Sequence, residues 1–162
     1  MADHDLELYL HIPFCMQKCA YCDFLSFVSG NELQRRYADA LIQEIRASEP
    51  GKRMVSSVYI GGGTPSVLDP QWLKDILEVV MQNFSVAEDA EISMECNPGT
   101  VTQSKFEIYR QMGINRISFG LQSAHDEELR RLGRIHTWRE FLESYRLARK
   151  AGIDNVNVDV MS

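Results

Sequence analysis

No stretch of the 162-residue chain approaches 18 consecutive apolar residues, so nothing in it reads as a transmembrane helix. The first ten residues, MADHDLELYL, do not read as a leader either, being acidic where a signal or transit peptide is basic and then apolar or amphipathic. Positive charge is in the minority, 17 Lys+Arg against 23 Asp+Glu for a formal net charge of -6, which disfavours nucleic acid as a partner. Internal repeats, low-complexity runs and Pro- or Ser-rich linkers are absent, so residues 1–162 are read as one domain with no internal boundary. These absences point to the cytoplasm, where the four cysteines serve metal binding, catalysis or simple burial rather than disulfides. What remains is a globular composition, 44% hydrophobic and 25% charged, enough for one sizeable core.

Runs rich in Leu, Ile, Val, Tyr and Phe at 6–14, 57–61, 90–96, 116–122 and 155–161 read as strands. Helical patterns lie between them. Leu33, Tyr37, Leu41 and Ile45 share a face behind the candidate cap Asn31; Leu73, Ile76, Leu77 and Val80 follow Asp69 and Pro70, an N-cap and a first-turn proline. Phe106, Tyr109 and Met112 run into Gly113 after Thr102, and Thr137 with Glu140 forms a capping box before Phe141, Leu142, Tyr145 and Ala148, stopped at Gly152. Strict β/α alternation predicts an α/β fold with a parallel sheet, either an open doubly wound sheet or a barrel.

The strands are not uniformly apolar, as strands covered on both faces would be. Leu8, Leu10 and Ile12 alternate with Tyr9 and His11, Ile92 and Met94 with Ser93 and Glu95, Ile117, Phe119 and Leu121 with Ser118, Gly120 and Gln122, and Val156, Val158 and Val160 with Asn155, Asn157 and Asp159. If the apolar faces meet the helices, the polar faces converge inside a curved sheet, where an unpaired polar group costs about 1–3 kcal/mol. A polar ligand is expected there; the plainer alternative is one solvated face. The chemistry-bearing residues also follow the strand ends, where sites of barrels and open α/β sheets form. His4, His125 and His136 carry no signal beyond exposed or capping roles, and Cys96 faces the helices as a small core residue.

Cys15, Cys19 and Cys22 form C-x3-C-x2-C in the loop after the first strand. Three thiolates in eight residues can serve an iron-sulfur cluster with one iron left for a non-protein ligand, a zinc site completed by a fourth group, or no metal at all. Gly61-Gly62-Gly63-Thr64-Pro65 is neither a Walker A loop nor a dinucleotide fingerprint; its position after the second strand favours backbone contact with a ligand over a plain tight connection.

The ordered set HIPFCMQKCAYCDF, GGGTPS, ECNPG, ISFGLQS, LGRIHT and NVNVD resembles the radical S-adenosylmethionine (SAM) superfamily, and within it the oxygen-independent coproporphyrinogen III oxidase family with its heme-chaperone branch. The resemblance implies a partial (β/α)6 barrel, truncated after strand five. It implies that Cys15, Cys19 and Cys22 hold three irons of a [4Fe-4S] cluster while SAM chelates the fourth, to be cleaved by one electron into methionine and a 5'-deoxyadenosyl radical. Tyr9, Tyr21, Gly62, Gly63, Thr64, Glu95, Gln122, Arg134 and Asp159 take family positions around SAM, Arg134 pairing with its carboxylate. Implied partners are SAM, heme or a porphyrinogen, an electron donor and, for a chaperone, an acceptor hemoprotein. Two departures refine this. The oxidases carry a further cysteine two positions after the motif, where this chain has Phe24 preceded by Asp23, as the heme-chaperone branch does. The chain also stops at Ser162 where the family continues, which reads as an N-terminal fragment.

Overall fold

The computed structural model describes residues 5–49, 51 and 53–161. His4 lies outside the described residues. The elements run β1 (Leu6–Ile12), α1 (Asn31–Ala47), β2 (Met54–Gly62), a single 3-10 turn (Pro65–Val67), α2 (Pro70–Asn83), β3 (Ser85–Cys96), α3 (Gln103–Gln111), β4 (Arg116–Gln122), α4 (Asp126–Arg131), α5 (Trp138–Lys150) and β5 (Asn155–Val160).

All four strand pairings are parallel and the spatial order is β1-β2-β3-β4-β5. This order decides between the two sheet types left open by the sequence. A doubly wound sheet reverses direction at a switch point, placing helices on both faces; here every right-handed crossover steps the same way, so the helices all fall on one face. The opposite face is concave and free of helices. The result is an arc of a barrel wall, open between β1 and β5.

The helix-facing side is dry. Val58, Ile60, Met94, Ile117 and Phe119 are fully or almost fully buried against Ala38, Leu73, Ile76, Phe106, Phe141 and their neighbours. Phe119 meets Phe106 and Phe141 edge-on, at centroid distances of 6.2 and 6.0 Å. Cys96 sits in this layer, opposite Phe119 in the β3–β4 register, and burial pushes its thiol far up.

Helix ends follow the expected chemistry, with one exception. The Asp69 side chain accepts from the Gln71 N–H, Thr102 from that of Lys105, and Thr137 and Glu140 form the capping box. Asn31, expected as a cap, is instead the first residue of α1; Gly30 precedes it without a side-chain bond. Strand β1 stops at Ile12 because Pro13 donates no hydrogen bond, and Phe14 rejoins only Phe27 through an isolated bridge. Strands β2 and β3 start earlier than the sequence pattern shows, since a bulge separates the Val55↔Val86 pair from Ser57↔Glu91 and breaks the alternation. Helix α4 escapes the sequence pattern altogether: it is 6 residues long and buries only Leu129, so it has no apolar period.

Candidate functional site

The loop from Pro13 to Ser29 leaves β1 and folds back over the carboxyl ends of the strands. Its backbone is tied down at several points: Cys15 N–H donates to Phe27 O at 3.0 Å, Phe27 N–H to Pro13 O at 2.9 Å, and Ala20 N–H to Leu132 O at 3.2 Å. A tight turn, Cys22 N–H to Cys19 O at 3.2 Å, brings the second and third cysteines to the same side. All four cysteines are free thiols; Cys15 is buried, and Cys19 and Cys22 are half-buried. No three His, Cys, Asp or Glu side chains among the described residues converge tightly enough for a single metal ion. Cys15, Cys19 and Cys22 line one pocket, an arrangement that suits a polynuclear cluster whose thiolates bind separate irons.

Beneath the loop lies a pocket of about 140 Å³ whose lining contains every residue expected at the site except Tyr9. It is smaller than the roughly 300–1,000 Å³ of closed ligand pockets, as befits a groove with no wall between β5 and β1. A wider outer groove of about 650 Å³ between α2 and α3, flanked by Leu77, Met81 and Met112, contains no cluster of nucleophiles or metal ligands.

Glu95 closes one side. Its carboxylate accepts from the Tyr59 hydroxyl at 2.9 Å and from the Gly62 N–H at 3.0 Å. Burial pushes its pKa up, those two bonds pull the other way, and the nearby Asp159 carboxylate pushes it up further. Asp159 stands on the exposed strand β5 and accepts from Ser118 at 3.1 Å and Asn157 at 2.8 Å. Two carboxylates on one concave face, with no lysine or arginine among the described residues salt-bridged to either, favour a cationic ligand group such as a sulfonium or ammonium.

Arg134 occupies the other side. It donates to Asn97 Oδ1 at 2.8 Å, to the Gly120 carbonyl, and to Cys19 Sγ at 3.6 Å, while its buried Nε has no partner. An anion beside the guanidinium would satisfy that donor, so the residues present suit the carboxylate of SAM as well as its cationic end. The Tyr21 hydroxyl lies beside Cys19 and Arg134, its pKa raised chiefly by burial and held back by the guanidinium. Gln122 is the one described non-glycine residue with positive φ, 72°, at a register shift in the β4–β5 pairing, and it too lines the pocket.

The glycine loop has a reason of its own. A Cβ on Gly61 would meet Tyr59 at 2.8 Å and Glu95 at 3.0 Å, and one on Gly63 would lie 2.7 Å from the Phe14 carbonyl oxygen. Gly62 has φ +113 and would press on His11 at 2.5 Å. The missing side chains are therefore required by the protein's own packing, and Gly62 and Gly63 also line the pocket with Thr64.

Tyr9 is placed differently from the other expected residues. It is 55% exposed, stacks on Tyr59 at 6.0 Å and bonds His11 Nδ1 at 3.3 Å, reaching Glu95 only through Tyr59. His136, expected to be exposed or capping, is 4% exposed; neither ring nitrogen has a partner of good geometry, although the Leu121 backbone lies close. Burial, and then the Arg134 charge, lower its pKa to about 4. Sequence reasoning also missed Tyr59, Ser118 and Asn157. Tyr59 is signalled by its alternation with Val58 and Ile60, and the other two lie on the polar phase of their strands. Asn97 was noted only as part of a motif.

A model of the radical SAM superfamily matches residues 9–162. The heme chaperone HemW of Escherichia coli (strain K12) is 42% identical over 159 residues, covering 96% of this chain and 42% of that protein. The heme chaperone HemW of Bacillus subtilis (strain 168) is 33% identical, over 94% of this chain and 41% of its own. Among solved structures, the coproporphyrinogen III oxidase HemN from Escherichia coli, described as a radical SAM enzyme, superposes with a TM-score of 0.90 at 32% identity, covering 98% of this chain and 38% of that one. The chain thus spans about two-fifths of the length of these relatives. Five parallel strands stepping in one direction, a cysteine loop over their carboxyl ends and a family match over nearly every residue agree that this chain belongs to the radical SAM superfamily.

Proposed function

We propose that the chain is the cluster- and SAM-binding core domain of a cytoplasmic heme chaperone, a protein that binds heme and delivers it to an acceptor hemoprotein. The superfamily implies a [4Fe-4S] cluster, SAM and an electron donor. In this reading Cys15, Cys19 and Cys22 would hold three irons and would leave the fourth for the amino and carboxylate groups of SAM. When bound, the cluster supplies the electron for reductive cleavage of SAM. The protein's part is placement: Arg134 pairs with the SAM carboxylate, Glu95 and Asp159 accept from its amino N–H groups or ribose hydroxyls, and Gly62, Gly63 and Thr64 offer backbone carbonyls. Gln122 presents an amide and Tyr21 a hydroxyl to the same space, while Tyr9 supports Glu95 through Tyr59.

The observation that carries this reading is the common pocket, which gathers the three thiols, one arginine and two carboxylates, a set complementary to the two opposite charges of one amino-acid sulfonium. The heme-chaperone branch is supported by the relatives of that name and by Phe24. Its side chain is 65% exposed beside the cysteine loop, where a thiol would be accessible. The superposition on HemN favours a second reading, oxidative decarboxylation of coproporphyrinogen III. One experiment separates them. The whole protein, with reduced cluster and SAM, is incubated anaerobically with coproporphyrinogen III, and separately titrated with heme and an acceptor apoprotein. Stoichiometric heme binding and transfer without product porphyrin support the chaperone; multiple-turnover formation of protoporphyrin overturns it.

A further inference from the structure

We propose that Asn97 is a positioning residue that directs hydrogen bonds onto two sulfurs of the cysteine loop, through Thr64 to Cys15 and through Arg134 to Cys19, and so raises the reduction potential of the cluster held there. The proposal rests on reading those cysteines as cluster ligands.

The direction of each bond follows from donor chemistry. A guanidinium can only donate, so the Asn97 atom 2.8 Å from Arg134 Nη2 is the carbonyl oxygen Oδ1. The amide nitrogen must then face Thr64, and Nδ2 donates to Thr64 Oγ1 at 2.9 Å. With Asn97 donating to that oxygen, the Thr64 hydroxyl proton is turned away from Asn97 and toward Cys15 Sγ, 3.5 Å from Oγ1 in a buried contact. Arg134, held by the same Asn97, places Nη1 3.6 Å from Cys19 Sγ.

The frame behind Asn97 is built to hold it. Asn97 N–H donates to Ser66 Oγ at 3.3 Å, Thr100 Oγ1 donates to the Asn97 carbonyl at 2.6 Å, and Lys105 Nζ ties the Ser66 and Thr100 carbonyls together at 2.8 and 3.1 Å. Gly120 supplies the space: a Cβ there would stand 3.2 Å from both Arg134 Nη2 and Asn97 Oδ1. The contacts to the loop sulfurs come from Thr64 and Arg134, so Asn97 acts on Cys15 and Cys19 through those two side chains, while Ser66 of the frame bonds only the core thiol of Cys96. Hydrogen bonds to cluster sulfurs stabilise the more negative, reduced state and raise its potential.

The test is potentiometric titration of the reconstituted protein without SAM, followed by electron paramagnetic resonance, after iron and sulfide have been counted in each variant. Asn97→Asp gives the Thr64 proton a carboxylate to bond, and Thr64→Val removes the donor. Each is expected to shift the midpoint to more negative values by about 59 mV, a tenfold change in a one-electron equilibrium. Thr64→Ser, which keeps the hydroxyl, should retain the parent potential. In a Thr64→Val background the Asn97→Asp shift should shrink, because it acts through that hydroxyl. Parent potentials in both single variants overturn the proposal, as does an Asn97→Asp shift undiminished in the double variant, which would be the added charge alone. If Asn97→Asp fails to assemble a cluster, the Thr64→Val and Thr64→Ser pair decides. A parent protein that takes up no iron overturns the cluster reading itself, an outcome distinct from a loaded parent with unmoved variants.

Discussion

The two faces of the sheet are built from the same strands, yet they follow opposite rules. On the convex side, Ile60, Met94, Ile117 and Phe119 pack against helices with no polar contact, and each contributes through burial. On the concave side, one residue out of step, Tyr59, Glu95, Ser118 and Asn157 spend their side chains on one another and on the pocket. Shifting by one position along a strand thus moves a residue from the stability of the fold to the chemistry of the site. Mutations on the two faces should accordingly separate loss of folding from loss of ligand.

The cysteines give the largest contrast, since both faces carry the same residue type. Replacing Cys15, Cys19 or Cys22 by Ala should abolish the brown chromophore and the iron and sulfide uptake of anaerobic reconstitution, whereas Cys96→Ala should retain all of it. Loss of the cluster in Cys96→Ala would break the assignment of faces. Next in size is Phe119→Ala, which should cost about 3–5 kcal/mol in denaturant unfolding. Cluster content of the surviving folded fraction should be unchanged.

His136 sharpens the comparison because it is a polar group in a dry setting. Its folded pKa of about 4 lies below the ordinary 6.5, so the buried ring is held neutral. The stability it contributes is fully present above pH 6.5 and is lost as the pH falls through about 4, when the unfolded chain binds a proton that the folded one refuses. Over that window the loss is on the order of 3 kcal/mol. His136→Phe should flatten this part of the profile of unfolding free energy against pH; an unchanged acid slope would show that another group is responsible. The smallest effect concerns the concave carboxylates. Glu95→Ala and Asp159→Ala should each weaken SAM binding about tenfold, near the lower end of a hydrogen bond to a charged group, as measured by equilibrium binding to a protein with full cluster content. Unchanged affinity in both would place SAM elsewhere.

Much of this division was legible in the sequence because alternation survives wherever a strand has one dry face. Phase alone places Glu95, Asp159 and Gln122 on the polar face and Cys96 on the helix side, whereas their relation to SAM is what the family resemblance implies. The boundaries failed where that signal was interrupted, at the β2–β3 bulge and in helix α4, which buries a single leucine. His136 was misjudged because burial of a loop residue depends on what distant segments cover it. The glycine loop showed a different limit. Its glycines announced close approach, but only the register of β1 beside β2 shows that His11 and the Phe14 carbonyl do the approaching. Asn97 was hidden for a related reason: its role depends on Arg134, 37 residues away, and no local pattern connects them.

Gln122 links the site to the protein's evolutionary prospects. A side chain in the left-handed region costs roughly 1–2 kcal/mol that a glycine would not, so Gln122→Gly is an accessible stabilising change that deletes the amide facing the pocket. Selection for thermal robustness alone would drift toward glycine at this position, and selection for an amide in the pocket would hold glutamine against it. The backbone angle of one residue is thus a place where the fitness landscape of the fold and that of the function pull apart.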